Sequence, residues 1–221
     1  MRIELTWEGP VGLITWDDGE NRLNPASMAR LHELLDEVEA HDGPTALVLT
    51  GTGKFFSNGL DLDRFADHPD ELGPTYNELV KFMGRILVLP FQTVCAINGH
   101  AFAGGAMISS VFDWRIMRAD RGFWCMNEVD VGIPVSRELY AAAATHIPHA
   151  ALCDVLVTAR RFTGPEALDA GVVDQLELED DVVPAAVARA TTLAAKDRKI
   201  IGIHKRLLFG EASNLCAAVD A

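Results

Sequence analysis

The sequence predicts an α/β fold over its first two-thirds and a helical region after it. Three observations lead there. Short apolar or β-branched runs, "TALVLT" (45–50), "QTVCAIN" (92–98) and "WRIMRA" (114–119), have the look of buried strands. Helical patterns lie between them, and alternation of this kind marks α/β architecture. After Asp130 helical patterns dominate, at 137–145, 149–158, 165–170, 182–196 and 198–209.

Taken in order, residues 2–7 and 11–16 alternate around "EGP" and predict a hairpin. A helix follows: Asn24 can cap it and Pro25 suits its first position. Met28, Leu31, Leu35 and Val38 would form its apolar stripe, and Gly43 would end it. "DHPDELGP" (67–74) reads as a surface loop, and residues 74–88 as a helix. The expected division is a core over 1–165 and a helical region over 166–221.

The chain has 221 residues, 49% of them hydrophobic, enough for one sizeable core. Its net charge of -13 argues against nucleic acid and anionic membrane surfaces as partners. No apolar run reaches the ~20 residues of a membrane helix. The start, "MRIELTWEGP", resembles no signal or transit peptide, and the end, "AVDA", is no peroxisomal address. Cysteines 95, 125, 153 and 216 form no CxxC pair, and the first three stand in apolar surroundings. Free thiols in a reducing, cytoplasmic setting are expected.

Three segments carry the chemistry. "GTGKFFSNGLDLDRF" (51–65) follows a strand and invites a phosphate-loop interpretation. That fails: Phe55 stands where a Walker loop needs Ser or Thr, and Phe56 where a dinucleotide turn needs glycine. A plain surface turn would not carry so much apolar bulk. "INGHAFAGGAMIS" (97–109) places glycines where a helix begins, either for close packing or to leave backbone N–H groups free for an oxyanion. In "CMNEVDVGIPV" (125–135), Glu128 has apolar neighbours, and a desolvated carboxylate suits proton transfer. Asp130 is expected to cap or pair. His146 and His149 lack a third metal ligand nearby, and Ser57, His100 and Asp113 lack a nucleophile elbow. The cluster "KDRKIIGIHKR" (196–206) is a solvated face or a phosphate contact.

Two backbone turns and one carboxylate are the equipment for stabilising an enolate. "FFSNGLDL", "AINGHAFAGG" and "NEVDVGIP", in that order, resemble the three motifs of the crotonase superfamily, the enoyl-CoA hydratases and isomerases. "RLN" near position 23 is similar to that family's first helix entry, and the match spans most of the chain. The resemblance implies a spiral of ββα units, a C-terminal helical trimerisation region, acyl-CoA substrates, and a homotrimer or hexamer. CoA would be part of the substrate, with no further cofactor and no metal. It places the oxyanion donors at the N–H groups of Leu60 and Gly104 and the proton-transferring carboxylate at Glu128. Ser57, Asn58, Gly59, Asp61 and Leu62 would line the pantetheine arm, with Gly105 and Met107 on the second turn. Arg22, Lys54 and the 196–206 cluster are the candidates for the CoA phosphates. The acyl pocket is expected in 66–90 and 132–142.

Hydratases of this family carry a second glutamate three residues past the donor glycine, where this chain has Met107. "NEVDVGIPV" and "KFFSNGLDL" are similar to the plant peroxisomal 3,2-enoyl-CoA isomerases. The expectation is therefore a double-bond isomerase of fatty-acid oxidation. Hydration by Glu128 alone, another crotonase-type reaction, and a silent CoA-ester binder stay open at this point.

Overall fold

The computed structural model describes residues 2–220. The chain begins with β1 (Ile3–Glu8), β2 (Val11–Trp16) and α1 (Pro25–Glu39). It continues with β3 (Ala46–Gly51), β4 (Phe55–Ser57), α2 (Leu62–Asp67) and α3 (Leu72–Val88). Next come β5 (Gln92–Ile97), β6 (His100–Phe102), α4 (Gly104–Ser110), β7 (Trp114–Arg118) and β8 (Trp124–Cys125). The remainder is α5 (Glu128–Val131), α6 (Arg137–Ala143), α7 (Leu152–Leu156), α8 (Gly164–Asp169), β9 (Gln175–Glu177), α9 (Val182–Ala194) and α10 (Arg198–Ala217).

The large sheet has the order β1-β2-β3-β5-β7-β9, antiparallel only at β1/β2. A small parallel sheet, β4-β6-β8, repeats the logic beside it. Each long strand from β3 to β7 is followed by a short one, and the β3–β4 and β5–β6 pairs are each followed by helix. This is the spiral of ββα units that the motifs imply. Glycine makes the step between strands possible: a Cβ on Gly99 would lie 2.2 Å from Lys54 O. His100 N–H donates to that same oxygen at 3.0 Å, so successive steps stack on one another.

Helix α1 forms as expected. Asn24 caps it in a box with Ser27, and Met28, Leu31, Leu35 and Val38 are buried. The small-sheet strands are too short to show a period, and the sequence pattern missed them along with β9 and α2. The loop expected at 67–74 is partly helical. Pro69 opens a 3-10 turn (Pro69–Glu71) that runs into α3, and Arg64 of α2 bonds Glu71 at 2.6 Å. One thiol expectation is corrected: Cys153 is exposed because α7 turns Val155 and not Cys153 inward, whereas Cys95, Cys125 and Cys216 are buried.

The region from 166 is not purely helical, since β9 pairs with β7 as the sheet edge. Nor is it an appendage. Val182, Ala186, Ala190 and Ala194 recur every fourth residue on α9 and pack against Val11, Val48, Val94 and Ile116 of the large sheet. Alanine there lets helix and sheet approach closely. Helix α10 packs on α3 and α6 instead.

The basic cluster at 196–206 is also not a uniformly solvated face. Lys205 is buried, its Nζ donating to Asp113 Oδ2 at 2.8 Å and to Phe91 O at 3.2 Å. Arg198 donates to His41 O and Glu39 O. Asp113 accepts in addition from Thr93 N–H at 2.8 Å, so one carboxylate ties α10 to β5 and to the turn before β7. Removing it in Asp113→Ala strands a buried ammonium and should cost about 3–5 kcal/mol in denaturant unfolding. Lys205→Met should cost less, because the aspartate keeps its Thr93 donors. Equal costs would show that the pair does not hold α10 in this way.

Candidate active site

Two backbone turns meet at the centre of the site. In the first, Gly59 takes φ +75°, which a side chain disfavours. Leu23 N–H donates to Gly59 O at 2.8 Å, and Asp61 N–H donates to Leu23 O at 2.9 Å. These bonds fix the residues on either side of Leu60, so its own N–H points away from Leu23. Buried Ser57 holds the turn from behind, donating to Asn21 O at 2.6 Å and accepting from Gly59 N–H at 3.2 Å. Asn21 donates in turn to Phe55 O and Phe56 O. Both phenylalanines are buried, so the end of β4 is anchored in the core.

In the second turn Ala103 adopts φ 48°, ψ −123°, strained for a residue with a Cβ. Strain of this kind costs on the order of 1–3 kcal/mol and collects at functional sites. The first intrahelical bond of α4 is Met107 N–H to Ala103 O, so Gly104 N–H has no helical acceptor. The turns interlock. A Cβ at Gly59 would lie 2.8 Å from Ala103 Cβ and 3.1 Å from Gly104 N. One at Gly105 would lie 2.5 Å from Ser57 O, and one at Gly104 2.6 Å from Leu23 Cδ1.

Beside them opens a cleft of about 450 Å³, lined by Leu60, Gly104, Met107 and Glu128. Arg22, Asn58, Leu62 and Arg161 line it too, with Tyr76, Leu79 and Leu139 among the apolar contributors. Glu128 opens α5 and is 9% exposed. Its place is set by β8: Ala103 N–H donates to Cys125 O at 2.9 Å, tying the strained turn to the strand that leads into the glutamate. Glu128 Oε2 is buried with no hydrogen-bond partner. Burial pushes the carboxyl up to about 7, and a bond to its own backbone N–H opposes this only weakly. A wall of the cleft, Ile133–Val135, is anchored at its far end by Ser136 N–H donating to Tyr76 Oη at 3.1 Å.

The structure thus brings Arg22, Asn58, Leu60, Leu62, Gly104, Met107 and Glu128 to one cleft. Ser57, Gly59 and Gly105 shape the turns from behind and do not line it. Asp61 caps α2, accepting from Arg64 N–H at 3.4 Å, and pairs with Arg22. Arg22 is fully engaged by Glu20, Asp61 and Asp63. Lys54 is exposed over the Phe55 ring and lies outside the cleft lining, as does the whole of 196–206. Asp130 N–H bonds Asn127 O, and no ion pair of its side chain is present among the described residues.

Tyr76, Leu79 and Leu139 fall in the segments 66–90 and 132–142 expected to form a pocket, whereas sequence reasoning missed Arg161 and Asn127. It also missed that Lys54, Arg121 and Arg161 converge electrostatically on His100, which burial first and these cations second hold below its ordinary value. The three make no ion pair among the described residues. Ser57, His100 and Asp113 do not form a triad, since Ser57 bonds Asn21 and Asp113 bonds Lys205. No group of His, Cys, Asp and Glu able to hold a metal occurs among the described residues, and no helix there is long and apolar enough to cross a membrane.

Comparison with known proteins agrees with this arrangement. The sequence profile of the enoyl-CoA hydratase/isomerase family matches residues 7–216. An Arabidopsis thaliana protein named enoyl-CoA delta isomerase 3 is 32% identical over 217 residues, covering 94% of this chain and 90% of the relative. A putative enoyl-CoA hydratase of Thermus thermophilus is 32% identical over 210 residues, covering 91% and 81%. Among solved structures, a probable enoyl-CoA hydratase of Mycobacterium tuberculosis superposes with a TM-score of 0.91 at 27% identity, covering 99% of this chain and 93% of that one. The chain belongs to the enoyl-CoA hydratase/isomerase family and has the crotonase fold.

The raised carboxyl has a thermodynamic consequence. Between 4.5 and about 7 the folded state keeps a proton that the unfolded chain releases, so stability falls as pH rises through this window. At about 1.4 kcal/mol per unit, the total is about 3 kcal/mol. Glu128→Gln mimics the protonated acid. Denaturant titrations should find it more stable than the wild type by about 1–3 kcal/mol near pH 8, with the gain fading towards about pH 4.5. A pH-independent difference would refute the buried, raised carboxyl.

Proposed function

We propose that this member of the enoyl-CoA hydratase/isomerase family moves a double bond from C3 to C2 of an enoyl-CoA, with Glu128 as the proton shuttle. One observation carries the proposal. Glu128 is the buried carboxylate of the cleft, while α4, one turn beyond Gly104, presents Met107 and not a second carboxylate. The other acid lining the cleft, Asp63, is exposed and paired with Arg22.

The thioester oxygen of the substrate lies between Leu60 N–H and Gly104 N–H. Ionised Glu128 removes a proton from C2, and negative charge moves onto that oxygen as the enolate forms. Glu128 then returns the proton to C4, leaving the conjugated 2-enoyl thioester. A preorganised donor aimed at such an oxygen is worth about 3–4 kcal/mol of barrier. Here both donors are already fixed by the interlocked turns, so little reorganisation is needed during the reaction.

Hydration would need a water held and activated on the double bond. Methionine does neither, which favours isomerisation over hydration, and the Arabidopsis relatives named as isomerases agree. The acyl chain lies against Tyr76, Leu79 and Leu139. The CoA phosphates lie towards Arg161, Arg121 and Lys54, three cations without carboxylate partners whose charges converge on His100. Arg22, neutralised by three acids, contributes less. The reaction belongs to fatty-acid oxidation, and CoA enters as part of the substrate. Exposed Ile200, Ile203, Leu207 and Leu208 on α10 support packing against further copies in a trimer or hexamer.

Two measurements test the proposal. Supplied with 3-enoyl-CoA, the protein should produce the ultraviolet signal of a conjugated enoyl thioester; supplied with 2-enoyl-CoA, it should not consume it. Loss of 2-enoyl-CoA at a comparable rate would favour a hydratase, and silence in both assays with retained acyl-CoA binding a non-catalytic binder. In Glu128→Gln, kcat should fall by roughly 10²–10⁴-fold with CoA-ester binding preserved. Wild-type kcat/KM should rise through about pH 7, as the carboxylate forms. Near-normal turnover in the glutamine variant would end the shuttle assignment.

A further inference from the structure

Four buried side-chain polar atoms have no hydrogen-bond partner among the described residues, and two of them are on consecutive residues: Asn127 Oδ1 and Glu128 Oε2. Both residues line the cleft. Buried acceptors are nearly always matched with donors, so an adjacent unmatched pair in a binding site asks for an explanation.

Asn127 is anomalous in a second way. It occupies the N-cap of α5, where an asparagine ordinarily turns its side-chain oxygen onto the N–H groups of the first turn. It makes no such bond here, and its backbone at φ −98°, ψ 24° is not the extended conformation that capping uses. Its backbone carbonyl accepts from Asp130 N–H at 3.1 Å and Val131 N–H at 3.3 Å instead. The side-chain amide is therefore released from local duty next in sequence to a carboxyl whose Oε2 lacks a partner.

The two groups are complementary in either protonation state. A carboxylate oxygen needs a donor, and the amide NH₂ is one. A carboxylic acid O–H needs an acceptor, and the amide oxygen is one. A half-turn about χ2 exchanges the two ends, and that torsion is broad and two-fold in asparagine. We propose that Asn127 is a positioning residue for Glu128: its amide NH₂ donates to Oε2 of the carboxylate, its oxygen accepts from Oε2–H of the acid, and Oε1 is left to face the substrate. During turnover the proton taken from C2 resides on Oε1 and leaves from there to C4, while Oε2 stays on the amide. Nothing is oxidised or reduced, and no other reactant is required.

The charged and titratable groups around the cleft are Arg22, Asp63, Tyr76 and Arg161, with Asp130 on α5 and Cys125 on β8. None is bonded to Glu128, whose carboxyl is raised by burial and opposed only by its own backbone N–H.

The proposal rests on Glu128 being the shuttle, and the experiment separates the two. The pH profile of kcat/KM for 3-enoyl-CoA is measured in wild type, Asn127→Leu and Asn127→Asp. Leucine removes the donor to the carboxylate, so the acidic limb should move up by about one pH unit. That is about a tenfold loss near neutral pH which disappears in alkaline solution. Aspartate, adding a like charge, should move the limb up as far or further. Difference infrared spectra follow the same titration without substrate, the carboxyl band being assigned by its loss in Glu128→Gln. A limb and band that stay in place while rates fall uniformly would overturn the role of Asn127. Full turnover in Glu128→Gln would instead remove the shuttle itself.

Discussion

The site depends on how closely two stretches of backbone approach. Gly59 lies under Ala103 and Gly104, and Gly105 lies against Ser57, with no room for a methyl group at any of the three glycines. This contact sets Leu60 N–H and Gly104 N–H on the same cleft. It also explains the small sheet. β4 carries the first turn, β6 the second and β8 leads to Glu128, so pairing these three short strands brings the two turns and the glutamate to one cleft. The large sheet and its α9 backing hold that frame from outside. The strain at Ala103 is the cost of ending β6 and starting α4 within one residue.

Charge is arranged around this frame with economy. The chain is strongly acidic, yet its cleft keeps one carboxyl buried and unpaired, and the basic groups Lys54, Arg121 and Arg161 near it are also left without acidic partners. Other cations are tied to acids: Arg22 to three of them, Arg160 to Asp154 and Glu166, Lys205 to Asp113. Low dielectric acts in both places, strengthening the Lys205–Asp113 tie and making Glu128 reluctant to ionise.

The sequence disclosed the site better than its surroundings. Strands β3, β5 and β7 and helix α1 stand out because burial gives them long apolar patterns. The two glycine turns and Glu128 stand out because each is a local motif whose chemistry lies within ten or so residues. What was hidden is non-local. Strands of two or three residues have no period to read. The alanine stripe of α9 announces a helix but not the sheet beneath it. Lys205 reads as a surface charge because lysines usually are, and only the fold supplies Asp113. Arg161 is distant in sequence from the motifs it joins. The segment 67–74 was rich in loop formers, yet Pro69 there starts a turn and does not break one.

The bond from Ser136 N–H to Tyr76 Oη has a mechanical implication. Leu60 and Gly104 are held by strand pairing, whereas the wall from Gly132 to Val135 has no strand or helix of its own and is pinned at its two ends, by Ile133 N–H on Glu128 O and by this phenol. On the proposed reading, the backbone is tied down by pairing where bonds change, and the acyl chain meets a wall tied down only at its ends. On that reading, residues 132–135 can change to suit a different chain without touching the interlocked turns.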